Sequence, residues 1–453
     1  MMSSLRRAYG QNREARALLR RGEAYVDLGY YEQALEDLNA ALALEPRFVA
    51  ALLGRSEALA ELDRYPEALA DVNLALNLQP VDAEILGRRG EMYRRMGQYR
   101  AALADLDASL RHDPLNAWAL ASRGETHRET GDPEAALRDL SAALAIDGAD
   151  WWALVSRGQA LEELGRFEEA LADYDAALEL APDYSWARQR RAEALAALGR
   201  YQEALDDLGR LLAEEPDNVG AFAQRSEVYV QMGRYDHALA DLNEALRLAP
   251  DDAWSLVGRA RVLAIQEHLD EAMDDIDHAL TTNGGDAWAL GLRAEIEITL
   301  GRLPDALADL DEALHRGAGD AWLLALRGEV HRRLGNLQRA MADLNECLVR
   351  NPAQASAYAQ RARVWSDMGQ QELALGDYDR ALNLQADDAW ALAGRGAVHL
   401  ALGHEDQALS DLRAAIQADR EVARQVAAEL GLLWQLRDVD RGVADDYAEG
   451  SED

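Results

Sequence analysis

The chain has 453 residues, of which 82 are acidic and 47 are basic. Its formal net charge of −35 argues against nucleic acid or an anionic membrane as the main partner and favours basic partners. No run reaches the roughly 18 consecutive apolar residues that a membrane span needs, and the N-terminus lacks the apolar core of a secretory signal, so the sequence predicts a cytoplasmic protein. The single cysteine, Cys347, excludes an intramolecular disulfide framework and a cysteine-based zinc site.

A repeat begins after a short basic N-terminal segment, residues 1–14. Alanine recurs every 34 residues without a miss from Ala34 to Ala408, and Pro46 and Pro80 follow the same interval. Residues 15–422 therefore divide into twelve tandem units of 34 residues, without insertion or deletion. A period of this length indicates one supersecondary unit per repeat, stacked on its neighbours.

The first unit predicts a helical hairpin. In ALLRRGEAYVDLGYYEQALEDLNAALALEP the apolar residues recur at helical spacing in two segments, separated by a turn at Gly29. Ten of the twelve units have glycine at this turn, where it supplies the left-handed residue that ends the first helix; Asp63 and Glu267 are the exceptions. Small residues at Gly22 and Ala34 allow the two helices to approach closely. The predicted fold class is all-α, an α-solenoid of twelve hairpins.

Two segments follow the last repeat. Residues 423–438 are rich in leucine and include Trp434, which predicts a C-terminal capping helix that covers the open end of the array. Residues 439–453 are acidic and lack periodicity, which predicts a disordered tail.

These repeats resemble the tetratricopeptide repeat (TPR) family. The family pattern is a small residue in the first helix, an aromatic residue after the turn, a recurring alanine and a closing proline, which appear here as Gly90, Tyr99, Ala102 and Pro114. Departures from it are confined to individual turns. The aromatic residue is replaced at Pro133, Leu269, Leu303, Leu337, Gln371 and Glu405, and the proline at Gly148, Gly284, Ala318, Ala386 and Arg420. The resemblance implies a right-handed superhelix with a concave groove that binds extended protein segments, and it does not imply catalysis.

Arginine and aspartate recur once per repeat. The arginines run from Arg21 to Arg395 and the aspartates from Asp37 to Asp411, each at intervals of 34 residues, and the chain contains no lysine. Antiparallel helices bring Arg21 level with Asp37, and the next hairpin brings Asp37 level with Arg55. A planar guanidinium can contact carboxylates on both sides. We therefore predict an internal ladder of ion pairs rather than a row of arginines that binds phosphate.

Tryptophan opens seven of the repeats: Trp118, Trp152, Trp186, Trp254, Trp288, Trp322 and Trp390. In the family an aromatic residue usually lies two positions later, where this chain mostly has leucine. The resemblance therefore implies that leucine takes the core role and that the tryptophans face the groove as binding anchors. Alternatively, each indole packs against the preceding hairpin. Aspartate precedes five of these tryptophans, which also predicts helix capping.

Glutamate follows the tryptophan position after seven residues, and therefore lies on the same helix face. The glutamates selected as binding residues are Glu125, Glu193, Glu295 and Glu329. An indole and a carboxylate on one face suit an arginine or lysine side chain of a ligand. The alternative is an acidic face in contact with solvent alone.

Signals for catalysis are missing from the sequence. There is no glycine-rich phosphate loop, HExxH motif or nucleophile elbow, and His127, His331 and His399 occupy one helix position in different repeats, so they cannot meet in one site. No cofactor or metal is predicted. The TPR clamp for acidic peptide C-termini requires asparagine before the recurring arginine, which this chain never has.

The sequence thus predicts a non-enzymatic scaffold or adaptor that binds an extended, net-basic protein segment in the groove, without nucleic acid or membrane as a partner. Two alternatives stay open. The array could instead assemble with copies of itself or with a fixed partner, or it could be the regulatory accessory subunit of a separate enzyme.

Overall fold

The computed structural model describes residues 2–282, 287–317 and 320–429, and side chains from residue 13 to residue 425 within these ranges. Every regular element in the described ranges is a helix, as predicted. The chain divides into two compact parts, residues 1–228 and 229–453. In both parts, consecutive helices pack as hairpins, and consecutive hairpins pack on each other.

The first helix of each hairpin is called here its A helix, and the second its B helix. The A helices are α1 (Met2–Asp27), α3 (Val49–Glu61), α5 (Ala83–Arg95), α7 (Ala117–Glu129), α9 (Trp151–Glu163), α11 (Ser185–Ala197), α13 (Val219–Gln231), α15 (Ala253–Ile265), α17 (Ala287–Thr299), α19 (Ala321–Arg333), α21 (Ala355–Asp367) and α23 (Ala389–Ala401). The B helices are α2 (Tyr31–Leu44), α4 (Tyr65–Leu78), α6 (Tyr99–His112), α8 (Pro133–Ile146), α10 (Phe167–Leu180), α12 (Tyr201–Glu214), α14 (Tyr235–Leu248), α16 (Leu269–Thr282), α18 (Leu303–His315), α20 (Leu337–Arg350), α22 (Gln371–Leu384) and α24 (Glu405–Ala418). The six hairpins without an aromatic residue after the turn therefore start their B helices at the same position as the others.

Left-handed residues end the A helices. Gly29 has a φ of 75°, and the backbone N–H of Tyr30 donates to the carbonyl of Tyr25 at 2.8 Å, which closes the turn. The other nine glycines predicted at this position also have positive φ. Asp63 and Glu267 adopt the same conformation, with φ values of 58° and 64°. The turn geometry is therefore imposed by the hairpin even where the residue has a Cβ.

Replacing Glu267 with glycine is therefore expected to stabilise the second part of the chain. A left-handed residue with a Cβ costs about 1–2 kcal/mol, and the greater freedom of glycine in the unfolded chain cancels part of this gain. We expect a net increase of about 0.5–1 kcal/mol in the free energy of unfolding, measured by chemical denaturation. The reverse change in the neighbouring hairpin, Gly301→Glu, should destabilise by a similar amount. A loss of stability in the glycine variant would contradict this account of the turn.

Small residues bring the two helices of a hairpin together, as predicted. Ala34 and Leu38 are fully buried, and a Cβ added at Gly22 would lie only 2.7 Å from Cγ of Leu38. In the fifth hairpin, Tyr174 replaces this leucine and its ring packs directly over Gly158. The core of each hairpin is thus fixed by a large side chain on the B helix that fills the space over a small residue on the A helix.

The chain is also helical on both sides of the twelve repeats. At the N-terminal end, α1 begins at Met2, so residues 2–14 belong to the first A helix. At the other end, α25 (Arg420–Glu429) packs against α23 and α24 with Ala423 fully buried. Helix α25 overlaps the segment 423–438 in which a capping helix was predicted, and its role as a cap stays a prediction. Residues 430–438, with Trp434, and the tail 439–453 lie outside the described residues. None of the described helices combines the length and the apolarity required to cross a bilayer.

Candidate functional site

The predicted ladder of ion pairs is present. Arg191 donates from Nε and Nη2 to the two carboxylate oxygens of Asp207, at 2.7 and 2.6 Å, and Asp207 is 4% exposed. These hydrogen bonds raise the pKa of Arg191, so the guanidinium stays charged. Ten further hairpins contain the same two-pronged pair: Arg21–Asp37, Arg55–Asp71, Arg89–Asp105, Arg123–Asp139, Arg157–Asp173, Arg259–Asp275, Arg293–Asp309, Arg327–Asp343, Arg361–Asp377 and Arg395–Asp411.

The partner that the ladder uses in the preceding hairpin differs from the prediction. Arg55 was expected to contact Asp37, but its Nη1 donates to Oδ1 of Asn39 at 2.7 Å. Nη1 of Arg191 likewise donates to Oδ1 of Asp175 at 2.8 Å. The reason is angular, because residues two positions apart on a helix point about 200° apart. The ladder aspartate faces its own A helix, and the residue two positions later faces the next hairpin.

Most of these arginines therefore have acceptors on two hairpins, and every described pair already engages its guanidinium with a carboxylate, which opposes phosphate binding. Nine of them bridge to the preceding hairpin, at Asn39, Asn73, Asp107, Asp175, Asn243, Asp277, Asp311, Asn345 and Asp379. The ladder fixes the register of neighbouring A helices, and so fixes where the tryptophans and glutamates at the candidate site lie.

The seven tryptophans pack on their neighbours and also keep accessible surface. Trp118, Trp186 and Trp254 are exposed, and the other four are half-buried. The rings of Trp118 and Trp322 lie over glycines of the preceding A helix, Gly87 and Gly291, close enough that a Cβ on either glycine would crowd the indole. The indoles thus pack against the preceding hairpin and also keep surface that a ligand could contact. Their role in ligand binding stays a prediction.

The capping role of the aspartate two positions before the tryptophan is confirmed at several helices. The Asp150 carboxylate accepts hydrogen bonds from the backbone N–H groups of Trp152 and Ala153, at 3.0 and 3.1 Å. Asp320 and Asp388 cap α19 and α23 in the same way. Asp286, the equivalent residue before α17, lies outside the described residues.

Four of the seven indoles already contact another aromatic or cationic side chain. Trp254 and Trp288 stack, with ring centroids 5.9 Å apart and an interplanar angle of 22°. The guanidinium of Arg190 lies 5.8 Å from the ring of Trp186. That of Arg363 lies 4.1 Å from the ring of Trp390. The last two contacts show that these indole faces can hold a guanidinium.

A pocket in the first part of the chain has balanced charges. It has a volume of about 280 Å³ and is lined by Trp118 and Trp152, by three glutamates and by three arginines. Each glutamate is paired: Glu57 with Arg88 at 2.8 Å, Glu61 with Arg95 at 2.7 Å, and Glu91 with Arg94 at 2.7 Å. Trp151 also lines it, and no sequence argument had selected this residue. Trp151 is the first residue of α9 and directly follows the capping residue Asp150. The N-cap pattern in the sequence could therefore have indicated that Trp151 lies at an exposed helix end.

Three of the four selected glutamates have internal partners. Glu125 is 7% exposed and pairs with Arg128 at 2.7 Å, and Glu329 pairs with Arg332 at 2.8 Å. Glu193 pairs with Arg190 at 2.7 Å. A ligand cation would have to share or displace these arginines. The spacing of three residues could have revealed these pairs in the sequence, because residues i and i+3 are neighbours on a helix.

The fourth glutamate, Glu295, lines a larger pocket in the second part of the chain. This pocket has a volume of about 900 Å³ and is also lined by Trp288, Trp322, Leu292 and Arg261. No side chain among the described residues forms an ion pair or hydrogen bond with the Glu295 carboxylate. The carboxylate is accessible to solvent, but the pocket wall reduces its hydration and raises its pKa above the ordinary value. Two accessible indoles and an unneutralised carboxylate therefore meet in one cavity.

Comparisons with known proteins agree with this architecture. Family models for the tetratricopeptide repeat match residues 19–83, 88–151, 151–184, 195–260 and 292–357, which together are more than half of the chain. A crystal structure of the APC/C hetero-tetramer Cut9–Hcn1 is similar at a TM-score of 0.53 and 16% identity, over 91% of this chain and 89% of that one, which is a likeness of fold.

Two further solved structures are similar over smaller portions of the chain. A tetratricopeptide repeat protein from Parabacteroides merdae ATCC 43184 has a TM-score of 0.42 and 22% identity, over 63% of this chain and 99% of that one. The MamA protein has a TM-score of 0.35 and 21% identity, over 38% of this chain and 93% of that one. No curated protein matches the chain significantly. On the family matches and the hairpin architecture together, the chain belongs to the tetratricopeptide repeat family.

Proposed function

We propose that the chain is a non-enzymatic scaffold whose A helices bind an extended, net-basic segment of a partner protein in a concave groove. Membership of the tetratricopeptide repeat family supports the general role of a protein–protein interaction scaffold. The observation that carries the finer proposal is the pocket at Trp288 and Trp322, where accessible indoles adjoin the unneutralised carboxylate of Glu295. The net charge of −35 supports a basic partner.

The repeat sets the spacing of the ligand contacts. Neighbouring packed helices are separated by about 8–10 Å, and an extended peptide advances by roughly 3.3 Å per residue. Successive tryptophans along the A helices would therefore meet about every third residue of the segment. In the second part of the chain, Trp254, Trp288 and Trp322 open three consecutive repeats, so this region would contact about six to ten ligand residues.

Selection from a random library of short peptides tests this proposal. Peptides that bind the full chain are expected to be net basic, with positive residues about three apart, and binding should weaken as salt rises. The double change Trp288→Ala and Trp322→Ala should reduce their affinity at least about tenfold, because buried aromatic anchors dominate such interfaces. Fluorescence anisotropy with a selected, labelled peptide measures the loss.

Trp365→Ala is the matched control. Trp365 is half-buried on α21 and packs against the hydrophobic core rather than in the pocket. The Trp365→Ala variant should lose at least as much thermal stability as the double variant, and it should keep its affinity for the peptide. Selection of neutral or acidic peptides, or undiminished binding to the double variant, would refute the proposal.

A further inference from the structure

We propose that Glu295 receives one arginine side chain of the bound segment, in the place that an internal arginine holds in other hairpins. This inference rests on the proposed function and specifies the ligand chemistry at one pocket. It starts from a contact that three other A helices contain and α17 lacks.

In those three A helices an arginine three residues after the glutamate neutralises it. Nε and Nη2 of Arg94 donate to the two oxygens of Glu91 at 2.9 and 2.7 Å, and Nη1 donates to Glu129 of the next hairpin at 2.7 Å. Arg128 and Arg332 repeat this geometry. The position therefore accommodates a guanidinium with two-pronged contact to the glutamate.

In α17 both partners of that arrangement are absent. The residue three positions after Glu295 is Ile298, which has no charge. The residue of the next hairpin that corresponds to Glu129 is Arg333, whose Nη1 donates to the Ile298 carbonyl at 3.0 Å. Glu295 thus keeps a carboxylate without the arginine partner that its counterparts in α5, α7 and α19 have.

The pocket around Glu295 favours arginine over a small cation. Trp288 and Trp322 supply indole surfaces, and Leu292 supplies apolar surface for the methylene stem of a long side chain. Arg261 also lines the pocket, but its guanidinium forms no ion pair or hydrogen bond with the Glu295 carboxylate among the described residues. Guanidinium binds a carboxylate with two parallel hydrogen bonds and stacks on indoles, whereas ammonium offers only a point charge.

Fluorine NMR of the full chain, labelled with 5-fluorotryptophan, tests this inference. The probe is a five-residue peptide with blocked ends and a single central arginine between alanines. Its matched control has citrulline, the neutral isostere of arginine. The signals of Trp288 and Trp322, assigned by Trp→Phe variants, are expected to shift with the arginine peptide. Binding of the citrulline peptide should be at least about tenfold weaker.

Two variants remove the site by different routes. Glu295→Gln removes the charge, and Ile298→Arg supplies internally the arginine seen at the same position in α5, α7 and α19. Each should abolish the arginine-dependent shifts, and hydrogen exchange of α17 and α18 in each variant checks that the ninth hairpin stays folded. Glu346→Gln is the control, because Glu346 lies on a B helix and pairs with Arg350 at 2.6 Å; it should leave the shifts unchanged.

The outcomes separate this inference from the proposed function. Equal shifts with arginine and citrulline, shifts that persist in Glu295→Gln, or no shift in the wild-type chain would each overturn the inference. If basic peptides are still selected and still require Trp288 and Trp322, the proposed function stands while the assignment of Glu295 falls. If neither holds, both fail.

Discussion

Replacing Arg191 with alanine is expected to lower the free energy of unfolding by about 3 kcal/mol, because it leaves the buried carboxylate of Asp207 without its cation. The two hydrogen bonds to Asp207 are lost together, and the bridge to Asp175 of the preceding hairpin is lost with them. Hydrogen exchange of α11 and α12 in the native state should report the loss locally, since repeat arrays need not unfold in one step.

Double-mutant cycles assign the loss to specific pairs. The coupling between Arg191 and Asp207 is expected to be about 1–3 kcal/mol. That between Arg191 and Asp175 should be below about 1 kcal/mol, because the Asp175 side chain is 53% exposed. Arg191 and Asp173 should be nearly additive, because Asp173 pairs with Arg157 instead. Strong coupling to Asp173 would restore the original prediction and contradict the bridge through Asp175.

Lowering the pH from 8 to 5 is expected to stabilise the ninth hairpin through Glu297. This carboxyl is 7% exposed, and its Oε2 has no hydrogen-bond partner. Burial, and secondarily the negative charge of Asp309, raises its pKa from the ordinary value of 4.5 to about 7, although Arg293 opposes the rise. The folded chain therefore holds this proton more tightly than the unfolded chain.

The sign of the effect follows by linkage. The stabilisation from the bound proton is fully present below about pH 4.5 and is lost as the pH rises through about 7. At about 1.4 kcal/mol per unit of pKa, the full effect on the free energy of unfolding would be about 3 kcal/mol. We expect about 1–2 kcal/mol, because the carboxyl lies close to the surface and solvent screens part of its interactions. Chemical denaturation at several pH values measures this difference.

The variant Glu297→Gln should remove this pH dependence while keeping the size of the side chain. The next hairpin provides an internal comparison, because His331 occupies the equivalent position. Burial lowers the pKa of His331, so its contribution is present above the ordinary histidine pKa and is lost as the pH falls. A wild-type profile that Glu297→Gln leaves unchanged would show that another group titrates.

The fold could be predicted almost completely from the sequence because each repeat contains its own local signals. The turn glycines, the small residues opposite large ones and the period of 34 act over short distances, and each is repeated many times. Even the exceptions Asp63 and Glu267 follow, since neighbouring hairpins impose the turn. The partner of each arginine in the preceding hairpin was mispredicted. The prediction matched residues by their height along the helices and did not consider the direction in which each side chain points.

The candidate site was less predictable because it depends on which charges are already neutralised. The sequence correctly placed Trp288 seven residues before Glu295 on one helix. It treated Glu125 and Glu295 as equivalent, although Glu125 is buried and paired with Arg128 and Glu295 is neither. Whether an indole packs or stays accessible depends on the residue of the neighbouring helix that faces it, as Gly291 faces Trp322. The spacing of residues along one helix does not reveal that contact.

The ladder has a further consequence for how such a chain can change its length over generations. Each bridging arginine contacts one acid in its own hairpin and one polar residue in the hairpin before it. Duplication or loss of a whole 34-residue repeat would keep the spacing between each bridging arginine and its two partner positions. An insertion of any other length within the helices would strand a buried carboxylate. The array can therefore grow or shrink by tandem duplication in whole repeats at little cost, and in no smaller step.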